Sequence, residues 1–142
     1  MALGVWLGAV WGLLLLSGAL AQERKPPRMV GAPMEASMDE EQAQRALRFA
    51  VERYNRGTND AFSSRVAEVI SVRKQIVAGI KYIFTVKVGR TACRKSEIAS
   101  SGNSETCAFM TEPGQAKESV CNFTVFIVPW ANQIELSKNV CQ

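Results

Sequence analysis

The hydrophobic period of this chain changes once, and that change limits the fold more than any other feature. Between residues 39 and 56 apolar side chains recur at helical spacing: Ala43, Ala46, Leu47, Ala50, Val51 and Tyr54. From Val66 onward the period is two. Tyr82, Phe84, Val86 and Val88 alternate with Lys81, Ile83, Thr85 and Lys87. One amphipathic helix followed only by strands predicts an α+β domain, an antiparallel sheet packed on a single helix.

The ends of these segments carry their own signals. Ser37-Met38-Asp39-Glu40 has the spacing of a capping box, and Gly57 stands where a left-handed helix stop would fall. The predicted helix is therefore 39–56. Val66, Glu68, Ile70 and Val72 share one parity and predict a strand face that is apolar but for Glu68. A bend is expected at Val77-Ala78-Gly79, and a long loop from Arg94 to about Ala116. Val120–Val128 is a strong strand, Pro129-Trp130-Ala131-Asn132 breaks it, and 133–140 returns. The layout is one helix and two hairpins, with a short strand allowed in the arm before the helix.

The first segment reads as an address. Met1 to Ala21 has no charged side chain, and its apolar stretch ends in Ser17-Gly18-Ala19-Leu20-Ala21, a small-x-small cleavage pattern. We expect a signal peptide over 1–21, export to the extracellular space, and a single domain over 22–142 whose residues 22–36 form a flexible arm. No other apolar run is long enough to cross a bilayer. The four cysteines, Cys93, Cys107, Cys121 and Cys141, suit an oxidising compartment and two disulfides. Spacing alone leaves three pairings open. Joining consecutive cysteines would close two local loops, each worth roughly 3 kcal/mol in the loop-entropy picture.

Composition removes several function classes. The 142 residues include no histidine, so Ser-His and Cys-His catalytic pairs and His-ligated metals are excluded. The thirteen carboxylates are scattered outside apolar surroundings that would raise a pKa. No CxxC pair and no phosphate-binding glycine loop occur. Neither a metal nor a cofactor is expected. The net charge of +4 is spread through arm, helix and strands without an aromatic platform, so neither nucleic acid nor a membrane is an expected partner.

What remains is apolar residues at bends. Gln75-Ile76-Val77-Ala78-Gly79 sits at a hairpin bend, yet three of the five are aliphatic, where turns favour Asn, Asp, Gly and Pro. A β-branched Val77 there reads as local strain. Trp130 stands at the tip of the second hairpin behind Pro129, and the arm carries Met29 and Val30 before Gly31. Antiparallel connectivity sends both hairpin tips to one end of the sheet, which the arm can also reach. Three apolar tips in a row describe a binding edge.

These residues resemble the type 2 secreted cystatins. The resemblance rests on Gln75–Gly79, Pro129-Trp130, Gly31 and the four late cysteines. It extends to Arg45-Ala46-Leu47-Arg48-Phe49-Ala50, Tyr54-Asn55 and Val88-Gly89-Arg90-Thr91. It implies a five-stranded antiparallel sheet wrapped around one long helix, and consecutive disulfides. It also implies reversible, tight inhibition of papain-like cysteine proteases such as cathepsins. In that mechanism Met29 and Val30 fill pockets on the non-primed side, and Gly31 turns the arm away from the nucleophile. Gln75, Ile76, Val77, Ala78 and Gly79 block the centre, and Trp130 packs on the primed side. Occlusion of this kind needs no catalytic group.

The resemblance adds a second candidate site. Asn59, in Thr58-Asn59-Asp60, matches the Asn by which some relatives inhibit legumain-type, asparagine-specific proteases, with Thr58 in place of the usual Ser. Two features depart from the family: a longer Cys93–Cys107 loop and the glycosylation sequon Asn122-Phe123-Thr124. Intact Gly31, Gln75, Gly79 and Trp130 favour an inhibitor over a non-inhibitory binding or signalling protein on the same fold. A strained Val77 bend would also favour exchange of helix and strand between two copies, giving a swapped dimer beside the monomer.

Overall fold

In the computed structural model, which describes residues 31–101 and 105–142, the helix lies across one antiparallel sheet. The leader expected over 1–21 and the arm residues Met29 and Val30 lie outside the described residues. The chain runs β1 (Met34–Glu35), α1 (Glu41–Gly57), β2 (Phe62–Val77), β3 (Gly79–Arg94), α2 (Lys95–Ser101), β4 (Glu118–Val128), a 3-10 turn (Pro129–Ala131) and β5 (Gln133–Cys141). The strands lie in sequence order, β1-β2-β3-β4-β5, all antiparallel. The expected α+β architecture is present.

Helix and sheet meet through small residues against large ones. Ala43, Ala46, Leu47, Ala50 and Val51 of α1 are buried on Tyr82, Phe84, Val86 and Val88 of β3 and Phe123, Val125 and Ile127 of β4. The three alanines remove bulk from the helix and let its axis approach the sheet. Tyr54 meets the Phe123 ring edge-on, with centroids 6.0 Å apart.

Four expectations are corrected. First, α1 begins at Glu41, and the Ser37–Glu40 capping box does not form. The Asp39 N–H donates to Ser37 Oγ at 3.0 Å, while Glu40, the N-cap residue, turns its carboxylate elsewhere. That carboxylate accepts from Lys74 Nζ at 2.8 Å and Tyr82 Oη at 2.9 Å, so cross-strand partners displace the local cap. The two donors hold Glu40 below the ordinary carboxylate range, Lys74 contributing most. Tyr82 moves the other way, to about 12, through burial first and then the hydrogen bond to Glu40.

Second, Gly57 is not a left-handed stop. It is the last helical residue, and the extended Thr58 (φ −94°, ψ 147°) ends the helix. Third, the inward face of β2 is not Val66, Glu68, Ile70 and Val72. The pairing with β3 slips between Val66 and Glu68 and again between Val69 and Ser71. Each slip re-aims the side chains that follow. Val66, Val69 and Val72 therefore pack on the core, and Ile70 is 50% exposed.

Fourth, the 94–116 segment is not all loop. It holds α2, and its later part pairs with the far end of β3: Ala92 N–H donates to Ala108 O and Met110 N–H to Arg90 O, both at 2.9 Å. Phe109 lies flat where a Cβ on Gly89 would come within 2.8 Å of it, and the Arg65 guanidinium stacks 3.7 Å from its centroid. The disulfides join Cys93 to Cys107 and Cys121 to Cys141, the consecutive pairing that the resemblance implied.

Candidate functional site

Strand register brings three segments to one end of the sheet. The β2–β3 bend closes with Val77 opposite Gly79. One strand over, Ile80 is opposite Ile127, so β4 reaches the same level just before Pro129. On the other flank Gly31 N–H donates to Ile76 O at 3.0 Å, which docks the end of the arm on the bend. Gly31, residues 75–79 and residues 129–132 thus form one rim in that order.

The rim is apolar and outward. Ile76 is 46% exposed and Trp130 is 75% exposed, the most exposed of the large hydrophobic side chains described. Ala78 and Pro129 are also exposed, and Gln75 and Val77 are half-buried. Trp130 is held out by its backbone. Pro129 opens the 3-10 turn, and Asn132 closes it in the left-handed region (φ 51°), donating its N–H to Pro129 O at 3.2 Å. An asparagine tolerates that conformation better than most residues.

The strain expected at Val77 is absent. Val77 belongs to β2, and the positive φ of the bend falls on Gly79, at +139°. Gly79 is buried: a Cβ there would lie 2.6 Å from Ile127 O and 2.9 Å from the Phe126 ring. Only hydrogen fits, so the bend is tight without forcing a β-branched residue into a poor conformation. Gly31 differs, since a Cβ there would meet Ile76 O at an ordinary 3.7 Å.

Asn59 sits at the opposite end of β2, about 50 Å away along a strand of this length. It is exposed, whereas its neighbours are tied down. Asp60 accepts from the Phe62 N–H at 3.0 Å and from Arg90 Nη2 at 2.9 Å, with Arg90 Nε also 2.9 Å from its second oxygen. Burial pushes the Asp60 carboxyl up, but the Phe62 amide and the Arg90 fork outweigh it and hold it below the usual range. Lys95 Nζ donates to both Thr58 O and Thr58 Oγ1 at 2.8 Å. Beside this loop lies a recess of about 490 Å³ lined by Tyr54, Ser64, Val88 and Lys117 among others.

The sequence pattern singled out neither Arg90 nor Lys95 for this role. Their partners lie 30 and 37 positions away, beyond the reach of any local signal. Asn122 is exposed on the sheet face away from α1, and its Oδ1 accepts from Thr85 Oγ1 at 2.9 Å.

Comparison with known proteins is consistent with this arrangement. Residues 31–130 match the cystatin domain model. The chain is 46% identical over 129 residues to cystatin of Gallus gallus, covering 91% of this chain and 90% of that protein. It is 45% identical over 118 residues to cystatin-C of Homo sapiens, covering 83% and 78%. The crystal structure of dimeric human cystatin F superposes with a TM-score of 0.71 at 28% identity, covering 87% of this chain and 95% of that one.

Proposed function

The chain belongs to the type 2 cystatin family, whose members inhibit cysteine proteases rather than catalyse a reaction, and from that premise we propose that it is a secreted, reversible, tight-binding inhibitor of papain-like cysteine proteases such as cathepsins, acting as a three-part wedge. Met29 and Val30 fill non-primed pockets, and Gly31 carries the arm off before a peptide bond reaches the nucleophile. Gln75, Ile76, Val77, Ala78 and Gly79 cover the catalytic centre. Pro129 and Trp130 close the primed side.

The observation that carries this reading is the shared rim, with Gly31 bonded to Ile76 and Trp130 75% exposed at the same sheet end. A preformed apolar edge loses little entropy on docking, so burial at the tips converts into affinity. Residues 1–21 act in this reading as a cleaved leader, and 22–142 as the mature domain. Titration of the mature, disulfide-intact chain against active papain should give stoichiometric loss of activity. Undiminished papain activity at equimolar inhibitor would leave a non-inhibitory binding protein on this fold as the better reading.

We take the monomer as the active form. Exchange of α1 and β2 between two copies would open the 77–79 bend and erase the rim, and the backbone of that bend stores no strain at Val77 to drive it. Two further sites complete the proposal. Asn59 inhibits an asparagine-specific protease of the legumain type; its exposure at the far end of β2 supports a surface independent of the rim. Asn122, outward-facing within its sequon, carries an N-linked glycan on the sheet face away from α1.

A further inference from the structure

A dense set of polar anchors surrounds Asn59, for which no hydrogen bond is found among the described residues. Asn59 is exposed, and the positions flanking it are fixed from three directions. On its N-terminal side, Thr58 donates its hydroxyl to Asn55 O at 3.2 Å and accepts Lys95 Nζ at both oxygens. On its C-terminal side, Asp60 is held by the Phe62 amide and the Arg90 fork. One residue further, Ala61 O accepts the Lys95 N–H at 2.9 Å. Asn55 adds a reciprocal pair with the Ser64 backbone, donating at 2.9 Å and accepting at 2.8 Å, which fixes the start of β2 to the helix.

Lys95 is the keystone of this set. Its side chain holds position 58 and its own backbone holds position 61, so one residue spans the loop from both ends. It opens α2 two positions after Cys93, whose bond to Cys107 anchors that segment. Arg90 supports the loop from β3, and its Nη1 also donates to Gln115 O at 3.0 Å in the connection to β4. A surface turn needs far fewer anchors to fold. This arrangement fits a loop that must keep one shape while a single side chain is offered outward.

We propose that Lys95 and Arg90 are positioning residues for Asn59, holding residues 58–61 in one conformation so that the asparagine side chain meets the specificity pocket of an asparagine-specific protease already ordered. The proposal rests on the reading of Asn59 given above. Binding by a preorganised loop forfeits less chain entropy, and the benefit appears mainly as slow dissociation.

The test uses Lys95→Met, which keeps the aliphatic stem and removes the ammonium, in the full disulfide-bonded domain. Inhibition of an asparagine-specific protease should weaken about 10- to 100-fold through faster dissociation. Inhibition of papain should stay within about twofold, because Lys95 is at the far end of β2 from the rim. Backbone amide exchange at Phe62, whose N–H is held by the Asp60 carboxylate, should accelerate at least about tenfold. Thr58→Val removes one of the two Lys95 acceptors without touching α2, and should give a smaller loss of the same kind. It carries the test if Lys95→Met also loses papain inhibition and so has lost its fold. Unchanged exchange at Phe62 overturns the proposal. Faster exchange with undiminished inhibition of the asparagine-specific protease overturns it equally, since the order would then not matter to binding. A wild-type chain that fails to inhibit that protease, beside a variant with faster exchange, overturns the Asn59 reading instead and leaves Lys95 as an anchor of the loop alone.

Discussion

Replacing Gly79 by alanine separates what the fold needs from what docking needs. The added methyl faces two costs. At φ +139° an L side chain is strained by about 1–3 kcal/mol. The Cβ would also sit 2.6 Å from Ile127 O, which belongs to the β3–β4 ladder, and 2.9 Å from the Phe126 ring. The ring can move aside. The carbonyl cannot without loosening the pairing of Ile80 with Ile127, and overpacking of that kind costs about 1–3 kcal/mol. Together the loss should be about 4 kcal/mol, or a fall in Tm of about 10–20 °C for a domain of this size. Papain inhibition should fall with it, since the bend must shift relative to Trp130. Gly31→Ala is the control. Among the described residues its Cβ meets only Ile76 O, at 3.7 Å, so stability should hold within about 0.5 kcal/mol. If Gly31 serves docking, inhibition drops more than about tenfold at unchanged Tm. Urea unfolding and papain titration of both variants give the result. A Gly79→Ala domain within about 1 kcal/mol of wild type would refute the claim that the Ile127 carbonyl and the backbone angle together demand glycine.

Three other outcomes are expected. Trp130→Ala should leave urea unfolding within about 0.5 kcal/mol, because three quarters of the side chain is already in water. It should weaken papain inhibition by about 2–4 kcal/mol: about 150 Å² of free tryptophan surface at 25 cal/mol/Å² sets the upper end. Unaltered inhibition would remove Trp130 from the wedge. The depressed Glu40 carboxyl contributes stability that is present above about pH 4.5, its ordinary value, and is lost as the pH falls through its lower folded value. The raised Tyr82 contributes stability present below pH 10 and lost as the pH rises toward about 12. Glu40→Gln should flatten the acid limb measured by urea midpoint, and an unchanged acid limb would show that Glu40 does not supply it. Replacing Cys93 and Cys107 together by alanine should cost about 2–4 kcal/mol and loosen the 58–61 loop through Lys95. A domain with undiminished unfolding free energy would count against the cross-link as a stabiliser.

The parts legible in the sequence are those whose physics is local and periodic. The Tyr82–Val88 alternation survives intact because β3 lies between two partners, pairs with β4 in unbroken register, and over those residues leaves the extra residues of its pairing with β2 on β2. The same reasoning fails on β2, an edge for most of its length. Among the described residues its outer neighbours are the two-residue β1 and Gly31, so its register with β3 can slip, and Ile70 turns outward. The capping box fails for a related reason. Glu40 has Lys74 and Tyr82 within reach, and a partner 34 or 42 positions away is invisible to any spacing rule.

The rim shows which kind of sequence conflict is informative. Aliphatic residues at a bend read, in sequence, as backbone strain at Val77, and the structure removes that strain by giving the positive φ to Gly79. The conflict persists in another form: Ile76 and Trp130 remain in water. A strained turn could be relieved by substitution within the chain. Exposed apolar surface at the two adjacent hairpin tips can be relieved by a second molecule, which is the role the proposed wedge gives it. The loop around Asn59 carries the complementary signature, polar and anchored on both sides of one free side chain. No compositional bias marks it, because its information lies in the distances from Lys95 to Thr58 and from Arg90 to Asp60 rather than in the residues between them.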